Sequence, residues 1–446
     1  MPSYQWLNWI GAVNALAGRL ADPSMIFWVK AELQAYLTEA LQTWNALTEQ
    51  WNQDFAFTAT SSNVWYNLAT LANSPRLRTL TDTTIYDILE YHLLEPSTGG
   101  TWSGTSQFSI SDLSGALQRR RDEMIQAVGC NLAQLPILPA VPNVRRTIFA
   151  DSTLEPRRTR FIPDSGSPVT LTRDDEYAFD HFKSQHLQTN ALPSYWSLIA
   201  GPPLTMDVDV GPSVPGGYDI ISLQAGLTFA PPAATLLGVP NDWAWVLKWG
   251  ALGDLLGRDS EATDRARSDY ALKRFLMGLE VMKQSNWMLS ATINGVPCDT
   301  PSVREQDAFL TEWENNSSAY PALVTAGMDF CAPCPVASGA GVIGVSCVVV
   351  ANAPIPILDG DFVQISRDAF DVILDYAQVL AQYKQGGTEF SSTKDLEQNF
   401  FRFAAQTNKR LAALGIFRDM LGYEGRRQDI EQPRTMVDEA KSKRGR

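Results

Sequence analysis

Lys248-Trp249-Gly250-Ala251-Leu252-Gly253-Asp254-Leu255-Leu256, followed after a polar gap by Asp269-Tyr270-Ala271-Leu272-Lys273-Arg274-Phe275, reads as two helices joined by a tight polar turn. Leu252, Leu255 and Leu256, then Leu272, Phe275, Leu276 and Leu279, recur at helical spacing and mark apolar stripes that need a partner surface. A similar helix, Gly-containing turn and helix is expected in residues 366–414. There Ile373, Tyr376, Ala377 and Leu380 form one stripe, and Leu396, Phe400, Phe403 and Ala404 form the other. Each pair follows an extended, Pro-flanked apolar run, which points to one strand and helix-turn-helix unit used twice.

Working outward, Asp22-Pro23 has the form of an N-cap with proline at the first helical position, and it predicts a helix to about Trp51. Its stripe is Ile26, Val29, Leu33, Leu37, Leu41, Trp44, Leu47 and Trp51. Residues 55–80 read as extended, and helices are expected over Thr81–Leu94 and about Ser111–Val128. Pro136, Pro139 and Pro142 mark a boundary. Beyond it Val144–Phe149, Arg158–Ile162 and Val169–Leu171 read as short strands, interrupted by a helix around Asp174–Phe182. Residues 200–232 and Trp287–Ile357 have the texture of antiparallel strands and turns. The class is therefore α+β, with helical and β-sandwich-like parts alternating and no strand-helix-strand rhythm of a doubly wound sheet. At 446 residues, with about 100 to 200 residues per domain, the expected division is a helical 1–140, a β-rich 141–285 closing with the first helix pair, a β-rich 286–432 closing with the second, and a basic arm at 433–446.

Apolar residues at 45% against charged residues at 19% indicate a folded chain with extensive buried or subunit-facing surface. Thirteen tryptophans strengthen that reading, because tryptophan buries a large area at low entropic cost in cores and interfaces. Net charge is −13, yet residues 402–446 hold eleven Lys and Arg against six Asp and Glu, so that +5 there leaves −18 on the body. Phosphate affinity comes from Lys and Arg, so specific nucleic-acid binding is not expected of such a body. Five cysteines, no Lys or Arg before Arg19, and a longest apolar run of Gly339–Ala353 predict a cytosolic product with no secretory leader and no membrane span.

The motifs that could carry chemistry mostly fail on context. Cys331-Ala332-Pro333-Cys334 could be a redox pair or half a zinc site with Cys298 and Cys347, but Pro335 and a Gly-rich run follow where a helix should start, so structural thiols are the default. Gly339–Gly344 fits G-x-G-x-x-G, but the residues that follow read as a strand and not as the helix a dinucleotide needs. His92, His181 and His186 are the three histidines; the latter two are five apart, which misses the spacing for two ligands on one helical face. Asp207 with Asp209, and Asp359 with Asp361, suit turns better than a calcium loop. No catalytic, cofactor or metal residue is assigned.

The string from Lys248 to Gly278, with Thr81-Asp82, Tyr91-His92-Leu93-Leu94-Glu95-Pro96 and Arg119-Arg120-Arg121-Asp122-Glu123, resembles virion structural proteins of tailed bacteriophages, and more narrowly the neck or adaptor proteins between portal and tail. The resemblance implies a non-enzymatic virion component forming a homo-oligomeric ring of about twelve copies, with the portal protein on one side and a tail or nozzle protein on the other. DNA would only pass through its channel, whose acidic wall would let phosphates slide. Candidate interface residues are Trp44, Trp51, Arg119, Arg120, Arg121, Trp249, Arg426, Arg427, Lys443, Arg444 and Arg446, with the arginines suited to pairing with an acidic partner ring. The alternatives are a tail or baseplate component, or a tail-associated hydrolase or carbohydrate-binding protein with an aromatic platform of Trp196, Trp243, Trp245 and Trp249.

Overall fold

The structure, a computed structural model, describes residues 4–61, 63–76, 78–93, 108–175, 191–231, 233–258, 264–285, 287–310, 313–315, 321–336 and 341–408. It is α+β: most of the helices share one hydrophobic core, and three antiparallel or mostly antiparallel sheets build the others.

The N-terminal helices depart from expectation at their start. Helix α1 spans Trp9–Arg19, capped by the Asn8 side chain, which accepts the Gly11 N–H at 3.0 Å. Asp22 does not begin a helix. Its carboxylate accepts the N–H groups of Ile26, Phe27 and Trp28 at 3.1, 2.9 and 3.1 Å, which closes a turn, and α2 runs only over Lys30–Thr48. Ile26 and Val29 thus lie outside the helix and are exposed, whereas Leu33, Leu37, Leu41, Trp44 and Leu47 form its buried stripe. Helix α3, Asp82–Leu93, and α4, Ile110–Val128, fall where the periodicity placed them. A capping box of Ser109 with Asp112 starts α4, and Gly129 at φ 75° ends it.

The first helix pair is α5, Ala244–Gly257, with α6, Arg265–Gln284. A short helix α7, Val303–Phe309, lies where only strands were expected. The second pair is α8, Arg367–Gln385, with α10, Lys394–Thr407, and a one-turn α9, Gly387–Ser391, between them. Each pair does follow an irregular extended run. Residues of α1 to α6, α8 and α10 share one hydrophobic core, so segments 1–140, 141–285 and 286–432 all contribute to it. Helix α8 packs on α2, and α5 packs on α4 and α6. Among the described residues no helix is long and apolar enough to cross a membrane.

The largest sheet has the order β3-β10-β6-β7-β8-β9-β5. Its strands are β3 Leu132–Gln134, β4 Leu138–Ala140, β5 Arg146–Ile148, β6 Thr153–Pro163, β7 Val169–Arg173, β8 Tyr195–Ile199, β9 Thr205–Val208 and β10 Gly216–Gln224, with β4 also on β10. Among its described strands only the β7–β8 pairing is parallel. The sheet curls around Phe161, Leu171, Trp196, Met206, Val208 and Tyr218. The expected helix at 174–182 falls mostly outside the described residues; Asp174 and Asp175 themselves are not helical.

The second sheet, β1-β15-β11-β12, joins β1 (Asn52–Ala59) to β15 (Ile343–Val350) in unbroken register from Asn52 opposite Val350 to Ala59 opposite Ile343. Strands β11 (Met288–Ile293) and β12 (Val296–Cys298) complete it. The third sheet, β13 (Ala322–Ala326), β14 (Phe330–Cys334) and β2 (Tyr66–Asn67), is covered on both faces. Leu323 and Cys331 pack toward β1 and β15, while Val324, Phe330 and Ala332 pack toward Ile221 and Leu223 of β10.

Candidate functional site

The helical core encloses a charged cluster that the sequence did not announce. Glu39 of α2 pairs with Lys248 of α5 and accepts the Trp249 indole N–H at 3.0 Å. Lys248 Nζ also donates to His92 Nε2 at 2.9 Å. Burial, partly offset by Glu39, brings the Lys248 pKa down to about 8. Burial, then the neighbouring Lys248 ammonium, holds His92 well below the usual imidazole range. A step along, Lys384 of α8 reaches both oxygens of Glu32 at 2.9 and 3.0 Å, and the Tyr36 hydroxyl donates to Glu32 at 2.5 Å.

Arg274 of α6 completes the cluster. It donates to the Tyr376 hydroxyl, and its guanidinium lies 4.5 Å from the Phe401 ring centroid, 5.2 Å from Tyr376 and 5.5 Å from Trp245. Aromatic faces thus supply the electron density that a second carboxylate would otherwise provide. All of these groups are enclosed by the chain's own helices, so their chemistry is to bind α2, α5, α6 and α8 in one register. The hydrophobic periodicity carries no trace of this cluster, since Glu39 lies off the apolar stripe of its helix and an apolar pattern does not report which charges are enclosed.

The predicted interface residues separate into two groups. Trp44 packs against Phe400 and Phe403, and its indole N–H donates to the Gln50 side chain at 2.8 Å. The Trp51 indole donates to the Gln364 carbonyl at 3.0 Å, and Trp249 is fully enclosed. Arg121 is also buried: its guanidinium lies 4.4 Å from the Phe229 ring centroid and donates to the Leu227 carbonyl at 2.5 Å. Gly226 makes room for it, because a Cβ there would sit 2.3 Å from Arg121 Cζ. The chain's own core therefore occupies Trp44, Trp51, Trp249 and Arg121, which takes them out of the surface a neighbour could reach.

Arg119 and Arg120 remain at the surface. Both grip Asp254 of α5, and Arg120 also meets Glu123 at 2.7 Å. They line an open cleft of about 920 Å³ between α4 and the α5–α6 pair, where Arg258 in turn pairs with Asp112. Acids and bases alternate along its walls, and several of them pair with one another; the Arg119 side chain is 67% exposed. Arg426, Arg427, Lys443, Arg444 and Arg446 lie outside the described residues.

The chemical motifs resolve on geometry. Residues three apart on a strand face opposite sides, so Cys331 enters the core toward β15 and Cys334 the core toward β10. Burial raises all four thiols of the supposed zinc set; the Cys298 thiol is pushed up to about 11 and the Cys347 thiol to about 12. Of the Gly339–Gly344 run, Gly339 and Ala340 lie outside the described residues, and Ile343 and Gly344 already belong to strand β15, not to a helix. Asp207 pairs with Arg145 at 3.0 Å, and Asp209 accepts the Ser194 and Tyr195 N–H groups. Asp361 accepts the Ile357 and Leu358 N–H groups at 3.0 and 2.8 Å, and Asp359 bonds Lys30 at 2.5 Å. His181 and His186 lie outside the described residues. Trp196, Trp243, Trp245 and Trp249 are all buried and form no exposed platform for a sugar.

What the fold does expose is apolar surface near the chain start. The Trp9 and Ile10 N–H groups donate to the Asp361 and Asp359 carbonyls, and the Lys30–Asp359 ion pair brings the start of α2 to the same place. Ile26, Phe27, Val29, Ile357 and Leu358 are exposed there. No protein-family model and no curated protein sequence matches this chain.

Proposed function

We propose that this protein is a non-enzymatic structural component of a tailed-phage virion, a ring-forming adaptor that joins portal to tail and forms part of the DNA exit channel. The observation that carries the reading is the apolar surface around Ile26 and Ile357, which no part of the described chain covers and which a neighbouring subunit would bury. The body charge of −18 suits a wall along which DNA slides without sticking. The likeness of residues 81–96, 119–123 and 248–278 to neck proteins supplies the portal and the tail or nozzle protein as partners. Exposed Arg119 is a suitable contact to an acidic partner ring.

Mass photometry of the purified full chain, alone and mixed with the portal protein of the same particle, tests this. A closed ring on the portal is the expected outcome. A chain that stays monomeric and never joins the portal sinks the adaptor reading, and its copurification with tail tubes or baseplates instead would move it to the tail.

A further inference from the structure

Arg76 and Asp242 line one small cavity, placed where the helical core meets the core of the second sheet. Ala46 of α2, another of its walls, belongs to the first core, and Trp287 to the second. The volume is about 10 Å³, the room of a single water molecule.

Both charged groups are shut away from solvent, Arg76 at 3% and Asp242 at 4% exposure. Arg76, just before α3, gives Nε to Asp329 at 2.8 Å and Nη1 to the Val350 carbonyl of β15 at 3.0 Å. Its Nη2 meets no acceptor among the described residues. A buried donor in that position has lost its hydration for nothing in return, and in folded proteins such groups take up ordered water.

Asp242 stands in the 3-10 turn Asn241–Trp243 that leads into α5. Its carboxylate accepts the Ala353 N–H at 3.0 Å and the Asn45 amide at 3.1 Å, which fills two of about four acceptor positions. Burial raises this carboxyl to about 6, so at neutral pH it is still an ionised acceptor. Arg76 acts on it through space, while the ion pair that Arg76 makes is with Asp329. Two other wall residues have no donor to spare: the Asn45 amide serves Asp242 and the Ala351 carbonyl, and the Trp287 indole serves the Gly327 carbonyl.

We propose that this cavity is a binding site for one water molecule, which accepts a hydrogen bond from Arg76 Nη2 and donates one to the Asp242 carboxylate. A cation of that size would meet the guanidinium and an anion the carboxylate, so the walls suit a neutral ligand that both donates and accepts. The bridge ties the segment before α3 and strand β15, which Arg76 grips, to α2 and the start of α5, which Asp242 grips. It joins the two cores by directional contacts, which apolar packing alone does not supply.

An experimental density map of the full chain, at a resolution that shows ordered water, should place one peak within hydrogen-bond reach of both Arg76 Nη2 and Asp242. An empty cavity, a peak that touches only one of the two, or a direct Arg76–Asp242 ion pair overturns the proposal. Ala46→Ser and Ala46→Cys give an independent reading in solution, because the two side chains are close in size and helix propensity but differ in polarity. A hydroxyl in the cavity can bond the water or stand in for it, whereas a thiol displaces it and strips Arg76 of its acceptor. Under reducing conditions the Cys variant should therefore have an unfolding equilibrium constant at least about threefold larger than the Ser variant. A Cys variant as stable as the Ser variant, or more so, is what filling a dry apolar gap gives, and it overturns the proposal. Neither result bears on the adaptor reading.

Discussion

His92 shows how one enclosed side chain sets the response of the whole fold to acid. Burial first, and Lys248 second, depress its pKa in the folded protein, while the unfolded chain titrates near the ordinary 6.5. Below that pH the unfolded state binds a proton that the folded state refuses, so stability falls with pH at a limiting slope of about 1.4 kcal/mol per unit. Asp242 works in the opposite sense: burial raises its carboxyl from 3.8 to about 6, so the fold regains stability as pH drops from 6 toward 3.8. The two nearly cancel in the wild type, and His92→Phe should uncover the difference. Urea midpoints between pH 5 and 7.5 should show wild type losing about 1 kcal/mol per pH unit relative to the variant below 6.5; parallel profiles would refute the assignment. Nothing in the sequence distinguishes this histidine from a surface one. Burial of a polar side chain depends on which helices meet, and a periodic pattern reports only which side of each helix is greasy.

At the scale of elements, the α5–α6 crossing rests on close backbone approach. An added Cβ at Gly278 would lie 2.6 and 2.8 Å from the two methyls of Val246. Gly278→Ala gains about 1 kcal/mol of helix propensity and loses about 1 to 3 kcal/mol to overpacking, so a net loss of about 1 kcal/mol is expected. Thermal unfolding should also show Val246→Ala costing less in the Gly278→Ala background than in wild type, since the shorter side chain relieves the clash; simple additivity would mean the seam is looser than it looks. Elements with strong punctuation were the legible ones. Ser109 with Asp112 and then Gly129 delimit α4, and the pattern alone found it. Asp22-Pro23 misled because the same carboxylate geometry that caps a helix also closes a turn. Helix α7 escaped notice because its seven residues are too few to display a period. The pair Cys331 and Cys334 reads as structural thiols because no helix follows it, and strand β14 places the two thiols in different cores.

On the scale of the molecule, the helical core is assembled from four separated stretches, 9–48, 82–128, 244–284 and 367–407. Helix α2 meets α8 along a seam that includes the Glu32–Lys384 pair. A chain ending at residue 285 would therefore lack Phe400 and Phe403, the ring partners of Trp44, the Lys384 partner of Glu32, and also the β15 strand that β1 needs. Such a fragment should give no cooperative unfolding transition and no protection from limited proteolysis; a protected fragment would mean that the first two segments fold alone. The α+β class was readable from local patterns, whereas this interleaving was not, because periodicity names a greasy face without naming its mate. The interleaving also governs timing. A ribosome adding about 5 to 20 residues per second needs roughly 20 to 70 s to pass from α2 to the end of α10, and only at the close of that interval are α8 and α10 available to cover α2. Truncated chains that lack α8 and α10 should therefore leave exposed the face of α2 that those helices cover, a surface that chaperones and proteases recognise.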